Sequence, residues 1–124
     1  MNKKHLSNLR KTWIFDLDGT LVEHNGYKIN KEIILSGVKE FFDSHIKDDD
    51  YVMITTGRND EQAAPAIELL KLNNIKIDKI ITNLPLGERL LFNDIKPDTK
   101  LKTAYSFNLD RDMGLEKIKF TFNK

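Results

Sequence analysis

The chain has 124 residues, 40% of them hydrophobic and 31% charged, with a formal net charge of +1 and no cysteine. That length gives one domain with one real core. The near-neutral balance excludes a global field that recruits nucleic acid or acidic membrane, and the missing cysteines exclude disulfides, thiolate metal sites and thiol nucleophiles. Met1 to Lys11 is polar and basic, without the apolar core of a secretory signal, and no apolar run approaches a membrane span. The reading is a cytoplasmic protein with a single domain over 1–124, in which 1–11 is a flexible N-terminal arm.

Short apolar runs alternate with helix-like stretches, the pattern of βαβ units around a mainly parallel sheet. Thr12 to Phe15 is the first strand, and Asp16-Leu17-Asp18-Gly19-Thr20 ends it. A loop or small hairpin follows, turning at Asn25-Gly26. Val38, Phe41, Phe42 and Ile46 repeat at helical spacing, which predicts a helix over Ser36 to Ile46 with Ser36 as its cap. Tyr51 to Thr55 is the second strand. The next helix covers Asp60 to Leu72, and Pro65 moves its regular start to about Ala64, because proline fits a first turn better than an interior. Lys79 to Thr82 is a third strand, Arg89 to Phe92 a fourth and Lys102 to Leu109 a fifth. Lys117 to Phe122 alternates like a half-buried edge strand. The expected architecture is α/β, a three-layer Rossmann-like fold with a mainly parallel central sheet.

Ligands of open parallel sheets bind beyond the carboxyl ends of the strands. Asp16 and Asp18 follow the first strand, Thr56 the second and Asp94 the fourth. Three carboxylates gathered there need protons or a cation, since two like charges about 4 Å apart repel by roughly 4 kcal/mol at an effective dielectric of 20. Oxygen-only ligands favour a hard ion, and Mg²⁺ works together with substrate phosphate.

Phe15-Asp16-Leu17-Asp18-Gly19-Thr20 resembles the first motif of the haloacid dehalogenase superfamily. Ile54-Thr55-Thr56-Gly57-Arg58 resembles the second and Leu90-Leu91-Phe92-Asn93-Asp94 the fourth, in the family order. The resemblance implies a Mg²⁺-dependent phosphomonoester hydrolase. Asp16 would be the nucleophile that forms an aspartyl phosphate, and Asp18 the general acid and then the base. Thr56 and Gly57 would bind phosphoryl oxygens. Asp16, Asp94 and the Asp18 carbonyl would hold the metal. The spacings from Thr20 to Thr56 and from Thr56 to Asp94 leave no room for a substantial cap domain. A small phosphorylated metabolite such as a sugar phosphate is then the expected substrate, with a homo-oligomer covering the open site.

The family's third motif, a Lys before a Pro in several small relatives, is missing, because Leu84 precedes Pro85. Lys79, Arg89 and Lys96 are the substitutes, and Lys96 is preferred because it lies beside Asp94. Bland readings exist for each residue. Asp16 and Asp18 suit an Asx turn and a cap, Thr56-Gly57 a tight turn, and Asp94 a turn cap. Arg58 fits an ion pair with a helix acid as well as a substrate contact. His5 and His45 read as surface residues, and Asp48 to Asp50 as a solvated turn. A calcium loop needs a closing Glu that this sequence does not supply, and a receiver domain needs an Asp at the end of the third strand, which here ends Ile80-Ile81-Thr82. A nucleic-acid end phosphatase, a phosphotransferase or a catalytically weak binding module are the remaining alternatives, and the net charge gives no sign of a polynucleotide groove.

Overall fold

The computed structural model describes residues 4–123. Its strands are β1 (Lys4–Leu6), β2 (Thr12–Asp16), β3 (Tyr51–Thr55), β4 (Lys79–Ile81) and β5 (Phe120–Phe122); its α-helices are α1 (Val38–His45) and α2 (Asp60–Leu72). The three-stranded sheet has the order β2-β3-β4, and both of its pairings are parallel. This is an α/β, Rossmann-like arrangement with no cap domain among the described residues. Between Thr20 and Thr56 the chain makes only a 3-10 turn (Gly26–Ile29), α1 and β3.

Side chains two apart on a strand share a face, so Trp13 and Phe15 point together toward α1. Trp13 meets Phe41 edge-on at 5.7 Å between ring centroids, and Phe15 lies 4.9 Å from Phe42. Such aromatic pairs add about 0.5–1.5 kcal/mol to the burial of their area. Leu17, Leu21, Val22, Val38, Val52, Ile54 and Leu70 are fully buried and close the core beneath the ends of the strands.

Local chemistry sets the helix boundaries. Gly37, in a left-handed conformation, precedes α1, and Ser36 donates its hydroxyl to Glu116 instead of capping the helix. Helix α2 starts at Asp60, not near Ala64. The Asn59 side chain accepts from the Gln62 N–H at 2.8 Å and Gln62 accepts from the Asn59 N–H at 3.0 Å, a capping box strong enough to hold the first turn ahead of Pro65.

Other expectations change. Lys4–Leu6 pairs in parallel with Phe120–Phe122, so this part of the N-terminal segment is a strand and not an arm; residues 1–3 lie outside the described residues. The last strand is a half-buried edge strand as its alternation predicts, and it lies in a separate two-stranded sheet with β1. His45 is half-buried and not simply at the surface. It stacks on Phe41 at 4.6 Å and accepts the Phe120 N–H at 3.0 Å, and partial burial lowers its pKa. Asp50 is buried. It accepts from the Lys11 and Lys47 N–H groups and from the Trp13 indole at 2.9–3.0 Å, which ties the turn before β3 to β2.

The largest difference lies after β4. Neither Arg89–Phe92 nor Lys102–Leu109 forms a strand. The chain instead runs outward to a turn at 97–100 and returns. The two limbs are tied by Lys96 N–H to the Leu101 carbonyl at 3.0 Å, by Asn93 to the Thr103 carbonyl, and by the Thr103 hydroxyl to the Asp94 carbonyl. Leu86, Leu90, Leu91, Phe92 and Ile95 are exposed along this arm.

Candidate active site

The parallel register aligns Asp16 with Thr55 and Thr55 with Ile81. The three strands therefore end together, and the segments after them form one edge. The Leu17 N–H donates to the Thr55 carbonyl at 3.0 Å, the Thr56 N–H to Ile81 at 3.0 Å and the Leu84 N–H to Thr56 at 3.1 Å. These bonds carry the sheet pattern one step past the strands and fix the loops that bear Asp18, Thr56 and Gly57.

Gly19 turns the first loop with φ +79°, and a Cβ there would come within 3.1 Å of Arg111 Cγ. Its carbonyl accepts from the Asp112 N–H, and the Asp112 side chain accepts from the His24 N–H at 2.8 Å. Arg111 and Asp112 thus brace the loop from the far end of the chain, which no local pattern announced.

Asp16 is exposed at this edge, with the Thr20 hydroxyl 3.5 Å from its carboxylate. Crowding by the surrounding chain raises its carboxyl pKa, and the neighbouring Asp18 raises it further. The charge of Arg89 and the bonds from Thr20 and Leu17 oppose that shift without cancelling it. The cation whose field reaches Asp16 is therefore Arg89, whose guanidinium is steadied by the Pro85 and Gly87 carbonyls at 2.9 Å each. Lys96, the preferred substitute in the sequence, lies exposed in the arm. Lys79 stands at the start of β4, opposite Met53, two residues short of the strand ends.

Asp18 has a different environment. Arg58 donates from Nε to both Asp18 oxygens at 3.0–3.1 Å and from Nη2 at 2.6 Å. The same guanidinium bonds Glu32 at 2.9 and 3.1 Å and the Gln62 carbonyl at 3.1 Å, and it lies 4.6 Å from the Tyr27 ring. Arg58 is 3% exposed. Burial alone would lower its pKa, but the hydrogen bonds and charges of Asp18 and Glu32 outweigh this and raise it. The partners are thus the acid of the loop after β2 and an acid from the loop before α1, not a helix acid. Glu32 carried no signal in the sequence, because an isolated Glu in a polar loop is common.

Thr56 is almost fully buried. Its hydroxyl accepts the Arg58 N–H at 3.1 Å and lies 3.5 Å from Asp18 Oδ2. A Cβ added at Gly57 would meet the Leu84 carbonyl at 3.4 Å and Leu86 Cδ2 at 3.5 Å. The edge thus brings Asp16, Asp18, Thr56 and Gly57 together and leaves Asp94 and Lys96 out.

A family model described as haloacid dehalogenase-like hydrolase matches residues 13–84, more than half of the chain. The chain belongs to the haloacid dehalogenase-like hydrolases. No curated protein and no solved structure matches it. The match ends at Leu84, where the exposed arm begins. No helix among the described residues is long and apolar enough to cross a membrane.

This family of hydrolases generally uses Mg²⁺. Asp16 and the Asp18 backbone carbonyl are the groups at the edge that would hold the ion. Among the described residues no group of three or more acidic or histidine side chains is gathered around a common point. Asp16 faces the edge, both Asp18 oxygens are bonded to Arg58, and Asp94 is in the arm. Mg²⁺ keeps several waters and is bound by one or two carboxylates together with substrate phosphate, so Asp16 with the Asp18 backbone carbonyl would suffice to hold it.

Proposed function

We propose that this hydrolase cleaves phosphomonoesters through an aspartyl phosphate on Asp16. The observation that carries the reading is the position of Asp16: an exposed carboxylate with a raised pKa, at the end of a strand, beside a second carboxylate at Asp18. An Asp16 oxygen attacks phosphorus, the bond from phosphorus to the leaving oxygen breaks, and Asp18 gives that oxygen a proton. Water then attacks the aspartyl phosphate, Asp18 takes its proton, and Asp16 and inorganic phosphate are released. For Asp18 to reach the leaving oxygen, substrate entry has to open at least one of its bonds to Arg58. The Thr56 hydroxyl and the Gly57 amide are the proposed phosphoryl contacts, and Arg89 is the proposed cation that offsets the repulsion between Asp16 and the phosphate.

Mg²⁺ is the cofactor of this reading on family grounds, and a small phosphorylated metabolite such as a sugar phosphate is the proposed substrate, because no cap domain covers the edge. A cytoplasmic setting belongs to the same proposal. The second reading is a catalytically weak binding module, favoured by the way Arg58 engages both Asp18 oxygens. Hydrolysis of para-nitrophenyl phosphate separates the two. The phosphatase reading expects release of phosphate that stops with a chelator and returns with Mg²⁺; turnover that survives exhaustive chelation excludes the metal, and no turnover with Mg²⁺ leaves the binding module.

A further inference from the structure

An arginine has five N–H donors in a fixed fork geometry, and those of Arg58 are all engaged. Nε and Nη2 make one fork, which holds both oxygens of Asp18 at 2.6–3.1 Å. Nη1 and Nη2 make a second fork, which holds both oxygens of Glu32 at 2.9 and 3.1 Å. Nη1 also donates to the Gln62 carbonyl at 3.1 Å. The Tyr27 ring covers the guanidinium, with its centroid 4.6 Å from Cζ. A single cation therefore has two carboxylate partners. The proposed reaction uses Asp18 and leaves Glu32 without a role.

The loop between β2 and α1 doubles back to bring Glu32 to this place. Val22 and Ile34 form an antiparallel bridge. The Glu23 N–H donates to the Ile33 carbonyl at 2.9 Å, the Lys31 N–H to Gly26 at 3.0 Å and the Leu35 N–H to Leu21 at 2.9 Å. A Cβ at Gly26 would come within 2.5 Å of the Lys31 carbonyl oxygen and 3.0 Å of Glu32 Oε1, so a side chain there would displace the carboxylate. The Glu32 side chain is 9% exposed, against 1% for Arg58 and 19% for Asp18. A carboxylate as buried as Glu32 is held by its partner. Asp18 is the more accessible of the two and the one that can leave.

We propose that Glu32 is a positioning residue: it keeps the Arg58 guanidinium in place and neutralised when Asp18 turns from Arg58 to the leaving oxygen. This role rests on the phosphatase reading. Were Asp18 the only carboxylate on Arg58, its departure would strand a buried cation, which is strongly unfavourable, and Asp18 would be held back. Glu32 removes that obstacle. Its fork, the Gln62 carbonyl and the Tyr27 ring hold Arg58 without any help from Asp18. Arg58 then stands where Asp18 finds it again after the leaving oxygen has been served.

The leaving group reads the placement of Asp18. Para-nitrophenolate departs without a proton, whereas the more basic phenolate draws on the general acid. With Mg²⁺ present, Glu32→Gln is expected to lower kcat/KM on phenyl phosphate by about tenfold or more and on para-nitrophenyl phosphate by no more than about threefold, with an intact melting transition. Glu32→Asp keeps the charge but withdraws it from Arg58, and its ratio of the two rates should fall between those of Glu32→Gln and the wild type. The double variant Glu32→Gln/Arg58→Gln strands no cation and should bring the ratio back toward the wild-type value. A folded Glu32→Gln that slows both esters equally, or neither, overturns the proposal, as does a double variant that keeps the skewed ratio. If Glu32→Gln does not fold, Glu32→Asp decides, and a wild-type ratio there overturns the proposal. A wild type that cleaves the para-nitrophenyl ester and not the phenyl ester has no working general acid, which overturns it too. A wild type that cleaves neither ester fails the phosphatase reading itself, and the role of Glu32 falls with it.

Discussion

Tyr51–Thr55 and Arg89–Phe92 are both short, apolar runs of strand-forming residues, yet one is the centre of the sheet and the other is exposed. Their composition does not separate them; their connections do. β2 reaches β3 through residues 17–50, which include α1, and β3 reaches β4 through 56–78, which include α2. Residues 82–88 give the later run no comparable crossover. An apolar run becomes a parallel strand only when the chain before it is long enough to return to the starting end of the sheet. The acids on either side of this divide differ accordingly. Asp18 is bonded to a buried arginine, and Asp94 lies on an exposed limb where its backbone carbonyl accepts from the Thr103 hydroxyl.

The largest effect expected is in the packed half. Asp16→Asn should lower kcat on the order of a thousandfold or more, with little change in melting temperature because the side chain is exposed. Phosphate release and a thermal melt on the same sample check both statements, and near-normal turnover in a folded protein removes Asp16 as nucleophile.

Arg58→Met should come next. It leaves Asp18 and Glu32 facing each other with no cation between them, and breaking a buried pair costs about 3–5 kcal/mol. Urea unfolding gives the number. A loss below about 1 kcal/mol would show that the two loops do not depend on this contact, and the contrast between the packed region and the arm would weaken.

Asp50 gives a pH-dependent version of the same comparison. Burial would raise its pKa, but the Lys47 N–H, the Trp13 indole and the Lys11 N–H together lower it below the ordinary carboxylate value. The folded state therefore holds its proton less tightly than the unfolded chain does. The stabilisation is fully present above the unfolded pKa and is lost as pH falls toward the folded one. Asp50→Ala should cost about 1–3 kcal/mol at neutral pH, from the unsatisfied donors, and should flatten the fall in stability on the acid side. Denaturant unfolding at several pH values below 5 checks the slope, and an unchanged slope excludes Asp50 as its source.

Arg89→Met should reduce kcat/KM about tenfold, a loss of roughly 1.4 kcal/mol in transition-state stabilisation, and Lys79→Met should be silent. The reverse ranking returns the cation to Lys79 and takes Arg89 out of the site. The smallest expected effect is on the arm itself. Leu90→Ser should leave the stability of the isolated chain within about 0.5 kcal/mol, as for other exposed positions. In denaturant unfolding, a larger loss would mean that the arm packs on its own body.

The match to residues 13–84 has its signature in short, local patterns. Asp16-Leu17-Asp18-Gly19-Thr20 after an apolar strand, and Thr56-Gly57 after another, name an edge because a strand end and its loop are set by neighbouring residues. The spacing of Val38, Phe41 and Phe42 likewise marks a helix face, since helical periodicity is a property of a few turns. What the sequence alone determined is therefore the family, the parallel β2-β3-β4 core and the placement of Asp16, Asp18, Thr56 and Gly57 at its carboxyl end. The tertiary structure decided what each of those groups touches. It paired Arg58 with Asp18 and Glu32 across 40 and 26 residues of sequence, braced Gly19 with Arg111 and Asp112, half-buried His45 among aromatic rings, and left the run before Asp94 outside the sheet. Contacts of that kind depend on the length and route of the chain between distant residues, and local patterns of residue type do not encode them.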